Sequence, residues 1–273
     1  MKKLETILKK ENYNFKVIEQ IGDGETSQIF LGEFNNTKSI FKLSKKNKFN
    51  LIINEYFKNG IIQKIAKNNI SPKVLFHNLH TELIIYEYFE KDSSEKQFNN
   101  FYQLGKKLKE LHEITLNKKI KTFKDQFNLY LNVSASKLDR KYFKDAIDLF
   151  NELNEGKENY VLSHNDLNSS NVLFKNNKIV FIDFEYLSIN SKYSDLSKLI
   201  DSLNLKTLEK DKFLKGYGID EMSNSIKTKI KKWGLMNIYT ELIWANYINE
   251  YNKNYFDKDY INLLEKKIKQ HKQ

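Results

Sequence analysis

The run His164-Asn165-Asp166-Leu167-Asn168-Ser169-Ser170-Asn171 and, shortly after it, Phe181-Ile182-Asp183-Phe184-Glu185-Tyr186 hold the residues best suited to chemistry. Asp166 can accept the proton of an attacking hydroxyl. Asn171, at the far end of the same loop, can place its amide oxygen on Mg²⁺, and Asp183 can add a carboxylate to the same ion. Mg²⁺ takes hard oxygen ligands, a few from protein and the rest from phosphates and water, so one Asn and one Asp are about what such a site needs. The chemistry these types and spacings suit is phosphoryl transfer.

Other elements must hold these residues in place. FKVIEQI (15–21), SQIFLGEF (27–34) and TKSIFKL (37–43) read as an antiparallel meander. Apolar residues at Leu51, Ile52, Tyr56, Ile62 and Ile65 follow with helical period. KVLFHN (73–78) and ELIIYEYF (82–89) then return to strand around Pro72. Beyond residue 90 the pattern is mostly helical. Phe101, Leu104, Leu108 and Leu111 share a face ending near His112, and amphipathic stretches cover 123–132, 141–154 and most of 193–273. YVLSH and KIVFID are short strand-like runs on either side of the polar loop. The expected boundary falls near residue 90, between a strand-rich lobe over 1–89 and a helix-rich lobe over 90–273.

Composition narrows the classes. Cysteine is absent from the 273 residues, which excludes disulfides, thiolate catalysis and Cys-ligated metal sites. The formal net charge of +11 invites a nucleic-acid reading, but Arg140 is the only arginine and the lysines are scattered among Asp, Glu and Asn. Arginine is the residue that forks onto phosphate and guanine, so no specific nucleic-acid partner is expected. Charges interrupt MKKLETILKK before an apolar h-region can form, and no run approaches the roughly 18 apolar residues of a membrane span. A cytoplasmic protein without membrane insertion is expected.

HNDLNSSN followed by IDFEY resembles the catalytic and metal-binding motifs of choline/ethanolamine kinases, within the aminoglycoside phosphotransferase-like superfamily. The resemblance implies an α+β, protein-kinase-like two-lobed fold, with a small antiparallel sheet and one helix in the first lobe and a larger, mainly helical second lobe. By the same resemblance, the lobe over 1–89 binds nucleotide and the lobe over 90–273 is catalytic and binds the acceptor. It implies ATP and Mg²⁺ as cofactors and a small alcohol, choline or a related amino alcohol, as acceptor. Thiamine or an aminoglycoside is the alternative acceptor, and a catalytically silent nucleotide-binding scaffold is the alternative of another class. A monomer or homodimer is expected. LGKKLKELHEI (104–114) resembles the helix that precedes the catalytic loop in such kinases. Asp195 matches an acidic position implied to hold the loop by accepting backbone hydrogen bonds, and His164 reads as a loop-orienting residue.

On the nucleotide side, Gly22-Asp23-Gly24 stands where kinases keep a phosphate-covering hairpin, although a turn alone would also use these residues. Lys42 on the third strand can reach the α/β-phosphates with Glu55 holding it. Backbone groups near Glu87, Tyr88 and Phe89 can read adenine. On the acceptor side, Trp244, Tyr247 and Tyr251 fall on one helix face. Trp244 and Tyr247 can pack against a quaternary ammonium, though such a stripe serves equally as core. Trp244 lies near the second tryptophan of choline kinases, whose first is replaced here by about Glu241. Glu185 and Asp201 can attract a cationic acceptor.

Overall fold

A computed structural model describes residues 2–10, 13–24, 26–45, 60–78, 80–92, 100–116, 120–134, 140–153, 160–253 and 255–272. The chain divides into two compact units, Met1–Phe98 with Val172–Ile182, and Asn99–Asn171 with Asp183–Gln273. A single cut near residue 90 does not contain this division, because the stretch at 172–182 belongs with the first unit.

Helix α1 (Lys2–Lys10) leads into strands β1 (Phe15–Asp23), β2 (Ser27–Phe34) and β3 (Thr37–Ser44), helix α2 (Ile61–Lys67), and strands β4 (Val74–Asn78) and β5 (Leu83–Glu87). The strands form one antiparallel sheet in the order β1-β2-β3-β5-β4. Asn35 and Asn36 join β2 to β3 at φ 48° and 62°, the doubly left-handed pair that tight hairpins favour. Strand alternation puts Phe30, Phe34, Phe41, Leu43, Leu83 and Ile85 into one core with Leu4 and Leu8 of α1. Each such side chain contributes about 1.5–3 kcal/mol on burial. The basic N-terminus did not read as a helix, yet its spaced Leu4, Ile7 and Leu8 form the apolar stripe that seats α1 on the sheet. Of the helix expected over 51–65, Ile61, Ile62 and Ile65 lie buried in α2, while Leu51, Ile52 and Tyr56 fall outside the described residues.

The second unit begins with α3 (Phe101–His112), α4 (Phe123–Ser134), α5 (Arg140–Leu153) and strand β6 (Tyr160–Ser163). The hairpin β7 (Val172–Lys175) and β8 (Lys178–Phe181) belongs to the first unit. There Phe181 N–H donates to the Ile70 carbonyl and Asp92 N–H to that of Phe174. Val172–Lys175 did not read as a strand; it is paired by a second Asn-Asn turn, Asn176-Asn177 at φ 46° and 66°. The second unit resumes with β9 (Ser188–Ser191), α6 (Lys192–Ser202), α7 (Thr207–Tyr217), α8 (Asn224–Tyr251) and α9 (Lys258–Lys272). β6 pairs antiparallel with β9, Ser163 opposite Ser188. Helices α3 and α7 cross at backbone contact. A Cβ on Gly105 would lie 1.9 Å from the Phe213 carbonyl oxygen, and one on Gly216 would lie 1.9 Å from that of Tyr102. This crossing fixes the end of α3, and with it His112.

Candidate active site

β6 carries the chain to His164, and the loop then turns on Asn165, a non-glycine residue at φ 65°. The turn is held from below by Asp195, fully buried on the first turn of α6. Its carboxylate accepts from His164 N–H at 2.7 Å, Asn165 N–H at 2.8 Å and His112 Nε2 at 3.0 Å. The other ring nitrogen of His112 lies 2.7 Å from the Tyr217 hydroxyl, so α3, α6 and α7 all anchor the loop. Burial by itself would raise the Asp195 carboxyl; the hydrogen bond and charge of His112, with those of His164, bring it below the usual carboxylate range.

Asn165 completes the frame. Its amide nitrogen donates to the Tyr186 carbonyl at 2.8 Å and to Ser188 Oγ at 2.9 Å, and its amide oxygen accepts from Asn190 at 2.7 Å. The left-handed turn is therefore over-determined from both β9 and the segment after Asp183. His164 is buried, its ring tilted against Phe184 at 4.6 Å, and its Nδ1 receives the Asp166 N–H at 3.3 Å.

Asp166 is thus presented by a rigid loop. Asn171, in the short helical turn Ser169–Asn171, donates its amide nitrogen to the Asp166 carbonyl at 2.8 Å and to the Asp166 carboxylate at 3.1 Å. With the nitrogen so engaged, the amide oxygen is the atom Asn171 offers to a cation. Asp183 begins the turn Phe184–Tyr186 at φ 70° and ψ 56°, a left-handed conformation that costs a non-glycine residue about 1 kcal/mol or more. Burial pushes the Asp166 carboxyl up to about 7. The Lys198 ammonium opposes that shift, and the Asp183 and Glu241 carboxylates add to it.

Lys198 of α6 is paired with Glu241 of α8 at 3.0 Å, and the Tyr260 hydroxyl of α9 donates to the other Glu241 oxygen at 2.7 Å. Burial would lower the Lys198 ammonium, but Glu241 and Asp166 outweigh it and hold Lys198 above the ordinary lysine range. From Tyr260 a series of half-buried rings runs along the same side. Tyr260 stacks on Phe256 at 4.9 Å, Phe256 lies 5.1 Å from Trp244, and Trp244 meets Tyr186 edge-on at 6.2 Å. The Trp244 indole N–H is buried without a hydrogen-bond partner among the described residues.

Asp166, Asn171, Asp183, His164 and Asp195 are brought together, and Glu185 is buried in the turn after Asp183. Tyr247 is not part of this group. It is fully buried between Tyr130 and Tyr251, each 5.2 Å away, and so belongs to the core. That corrects the expectation for Tyr247, while Trp244 of the same stripe reaches Tyr186. Asp201 lies one turn beyond Lys198, where burial raises its carboxyl above the usual range against the pull of His271, Lys198 and Lys210. Sequence reasoning passed over Asn165, His112, Tyr260 and Lys198 as participants. Lys198 sits three residues after Asp195 on α6, but a chain with 46 Lys and Arg residues puts a lysine on nearly every helix.

In the first unit, Lys42 is registered with Ile29 and Ile84 and, by strand alternation, points to the sheet face opposite α1. The turn after β1 is closed by Gly24 N–H donating to the Ser27 carbonyl at 3.0 Å, and Lys45 clamps it through Asp23 at 2.9 Å. Neither glycine is forced sterically: a Cβ on Gly22 would come no nearer than 3.4 Å to Ile29, and one on Gly24 no nearer than 3.7 Å to Ser27. At the end of β5, Glu87 N–H and Tyr88 N–H are taken by the Lys73 and Lys38 carbonyls, and Phe89 follows beyond them. Glu55 lies outside the described residues.

Comparison with known proteins places the chain. "Protein LicA homolog" of Mycoplasma capricolum is 26% identical over 191 residues, 67% of this chain and 76% of that protein. Among solved structures, a choline/ethanolamine kinase family protein from Mesorhizobium loti aligns with a TM-score of 0.75 at 20% identity, covering 99% of this chain and 92% of that one. The choline kinase LicA from Streptococcus pneumoniae aligns with a TM-score of 0.76 at 18% identity, over 99% and 97%. A structure of LicA in complex with AMP gives 0.71 at 18%, over 99% and 98%. These likenesses establish the kinase-like α+β fold that the motifs imply. The model of the ecdysteroid kinase-like family matches residues 75–228, more than half of the 273 residues. The chain belongs to the ecdysteroid kinase-like family.

Proposed function

We propose that this protein transfers the γ-phosphate of ATP to the hydroxyl of a small alcohol, with choline or a related amino alcohol as the acceptor. The observation that carries the reading is the Asp166–Asn171 pair, in which the Asn171 amide nitrogen holds the base and leaves the amide oxygen for a cation, with the Asp183 carboxylate near enough to act on Asp166. Asp166, raised to about 7, suits a general base acting near neutral pH. It accepts the acceptor's hydroxyl proton as the oxygen attacks, and the buried Asp195 frame keeps its position fixed. Asn171 and Asp183 would hold Mg²⁺. Their oxygens are the hard donors this ion takes, and no cluster of three or more His, Cys, Asp or Glu suited to a metal occurs among the described residues. When bound, the ion would neutralise charge on the transferring phosphoryl group. In the first unit, Lys42, the Gly22–Gly24 turn and the backbone at Glu87–Phe89 are the groups proposed to meet the nucleotide. The relative solved with AMP supports an adenine donor.

The rings Tyr186, Trp244, Phe256 and Tyr260, with Glu241 at one end, support a cationic acceptor. So do the choline and ethanolamine kinases among the structural relatives. Lys198 favours a second reading, an alcohol without a fixed positive charge, because its ammonium already occupies Glu241. No described helix is long and apolar enough to cross a membrane; with the cysteine-free composition this supports a cytoplasmic setting. The test is ATP consumption with Mg²⁺ across choline, ethanolamine, thiamine, homoserine, methylthioribose and kanamycin. Turnover with choline or ethanolamine supports the amino-alcohol reading, turnover only with another alcohol discards it, and no Mg²⁺·ATP binding at all overturns the kinase reading.

A further inference from the structure

A cavity of about 460 Å³ opens at the first turns of α8, bordered by the end of α5 and the start of α6, and it shares no lining residue with the Asp166 loop. Among the described residues its lining carries two lysines, Lys229 and Lys232, against one carboxylate, Glu152. Lys192 and Lys229 both stand over the ring of Tyr193, at 5.3 and 5.6 Å from its centroid. Neither is paired with a carboxylate among the described residues. Glu152, the acidic residue among the described lining residues, is bound to Lys232. Burial and the neighbouring Lys229 hold the Lys192 ammonium below the ordinary lysine range, so the two cations are crowded against one another. The hydroxyls of Ser225 and Thr228 line the same space, and the Trp233 and Tyr193 rings give it an apolar wall.

Lys229 lines the cavity, and Lys192 stands over the same Tyr193 ring from outside the lining. Two half-buried like charges around one ring destabilise the empty protein, and an anion at Lys229 offsets the repulsion. The volume lies within the range of small-molecule pockets. Hydroxyl donors beside lysines match a phosphate, and the rings match a small organic group attached to it. A cation would meet the Lys229 ammonium, which no carboxylate among the described residues pairs. We propose that this cavity binds a small phosphate monoester, at a site separate from the one where phosphoryl transfer is proposed.

The test follows the Ser225 and Thr228 amides by NMR while inorganic phosphate or ethyl phosphate is added to the full chain. Saturable shifts are expected, with ethyl phosphate bound at Kd below about 1 mM. Lys229→Gln should weaken binding by about tenfold or more. Lys231→Gln, exposed on the same helix and outside this lining, should change it by less than about twofold. Without added anion, Lys229→Gln should also raise Tm, because it relieves the crowding at Lys192. Absence of saturation up to about 10 mM would overturn the site. Equal weakening by Lys231→Gln would overturn it too, since it would show attraction to a diffuse basic surface such as a polyanion uses.

Discussion

Two turns of this molecule differ in what holds them. The loop at Asp166 is fixed by buried polar groups: Asp195 takes three donors, and Asn165 bonds to Tyr186, Ser188 and Asn190. Among the described residues, the turn at Gly22–Gly24 is closed by Gly24 N–H on the Ser27 carbonyl, Lys45 N–H on the Thr26 carbonyl, and the Lys45 ammonium on Asp23 and the Gly24 carbonyl, all near the surface. Its glycines have room for a methyl group. A group that must aim one carboxylate is held by unsatisfiable alternatives, since each buried donor left unpaired costs about 1–3 kcal/mol. A turn whose proposed task is to bring backbone close to a phosphate needs only small residues.

The largest effect should come from the centre of the fixed loop. Asp166→Asn is expected to lower kcat by roughly 10²–10⁴ with folding intact, checked by turnover and circular dichroism. The same variant should be more stable than the wild type at high pH. The Asp166 carboxyl is raised from 3.8 to about 7 in the fold, so the stability it contributes is full below about pH 4 and is lost as pH rises through 7. Above that, Asn at 166 should gain at least about 1 kcal/mol in urea melts, and no gain at acid pH. Asp195→Ala should cost about 3–5 kcal/mol and most of the activity, because it strands His112 and two backbone N–H groups in the interior. Gly105→Ala should cost about 1–3 kcal/mol, since the α3–α7 crossing leaves no space for the added carbon. Gly24→Ala should be the mildest, within about 0.5 kcal/mol in stability. If that turn covers the phosphates, KM for ATP will rise while Tm stays put, and an unchanged KM would remove it from the nucleotide site.

Much of this contrast was legible in the sequence, for physical reasons that differ by region. The five-strand order and the α3 face follow from period-2 and period-3.6 apolar patterns. Asp166, Asn171 and Asp183 stand out because their chemistry depends on residue type and close spacing. Lys198 did not, because its role depends on Glu241 and Tyr260, 43 and 62 positions away on other helices. Tyr247 misled, since helical spacing equates it with Trp244 although it turns into Tyr130. Helix α1 was hidden because frequent lysines masked a narrow stripe of Leu4, Ile7 and Leu8. The strand Val172–Lys175 is as short as the neighbouring runs that do read as strands, and its legible signal is the Asn176-Asn177 turn that pairs it with β8.

The most direct test of the phosphotransfer reading is ³¹P NMR of Mg²⁺·ATP with choline and ethanolamine, wild type against Asp166→Asn. The account predicts that the wild type converts the γ-phosphate signal into a phosphate monoester of the alcohol, and that Asp166→Asn binds nucleotide but forms the ester at least about 100-fold more slowly. Ester formation at an undiminished rate by Asp166→Asn would contradict it.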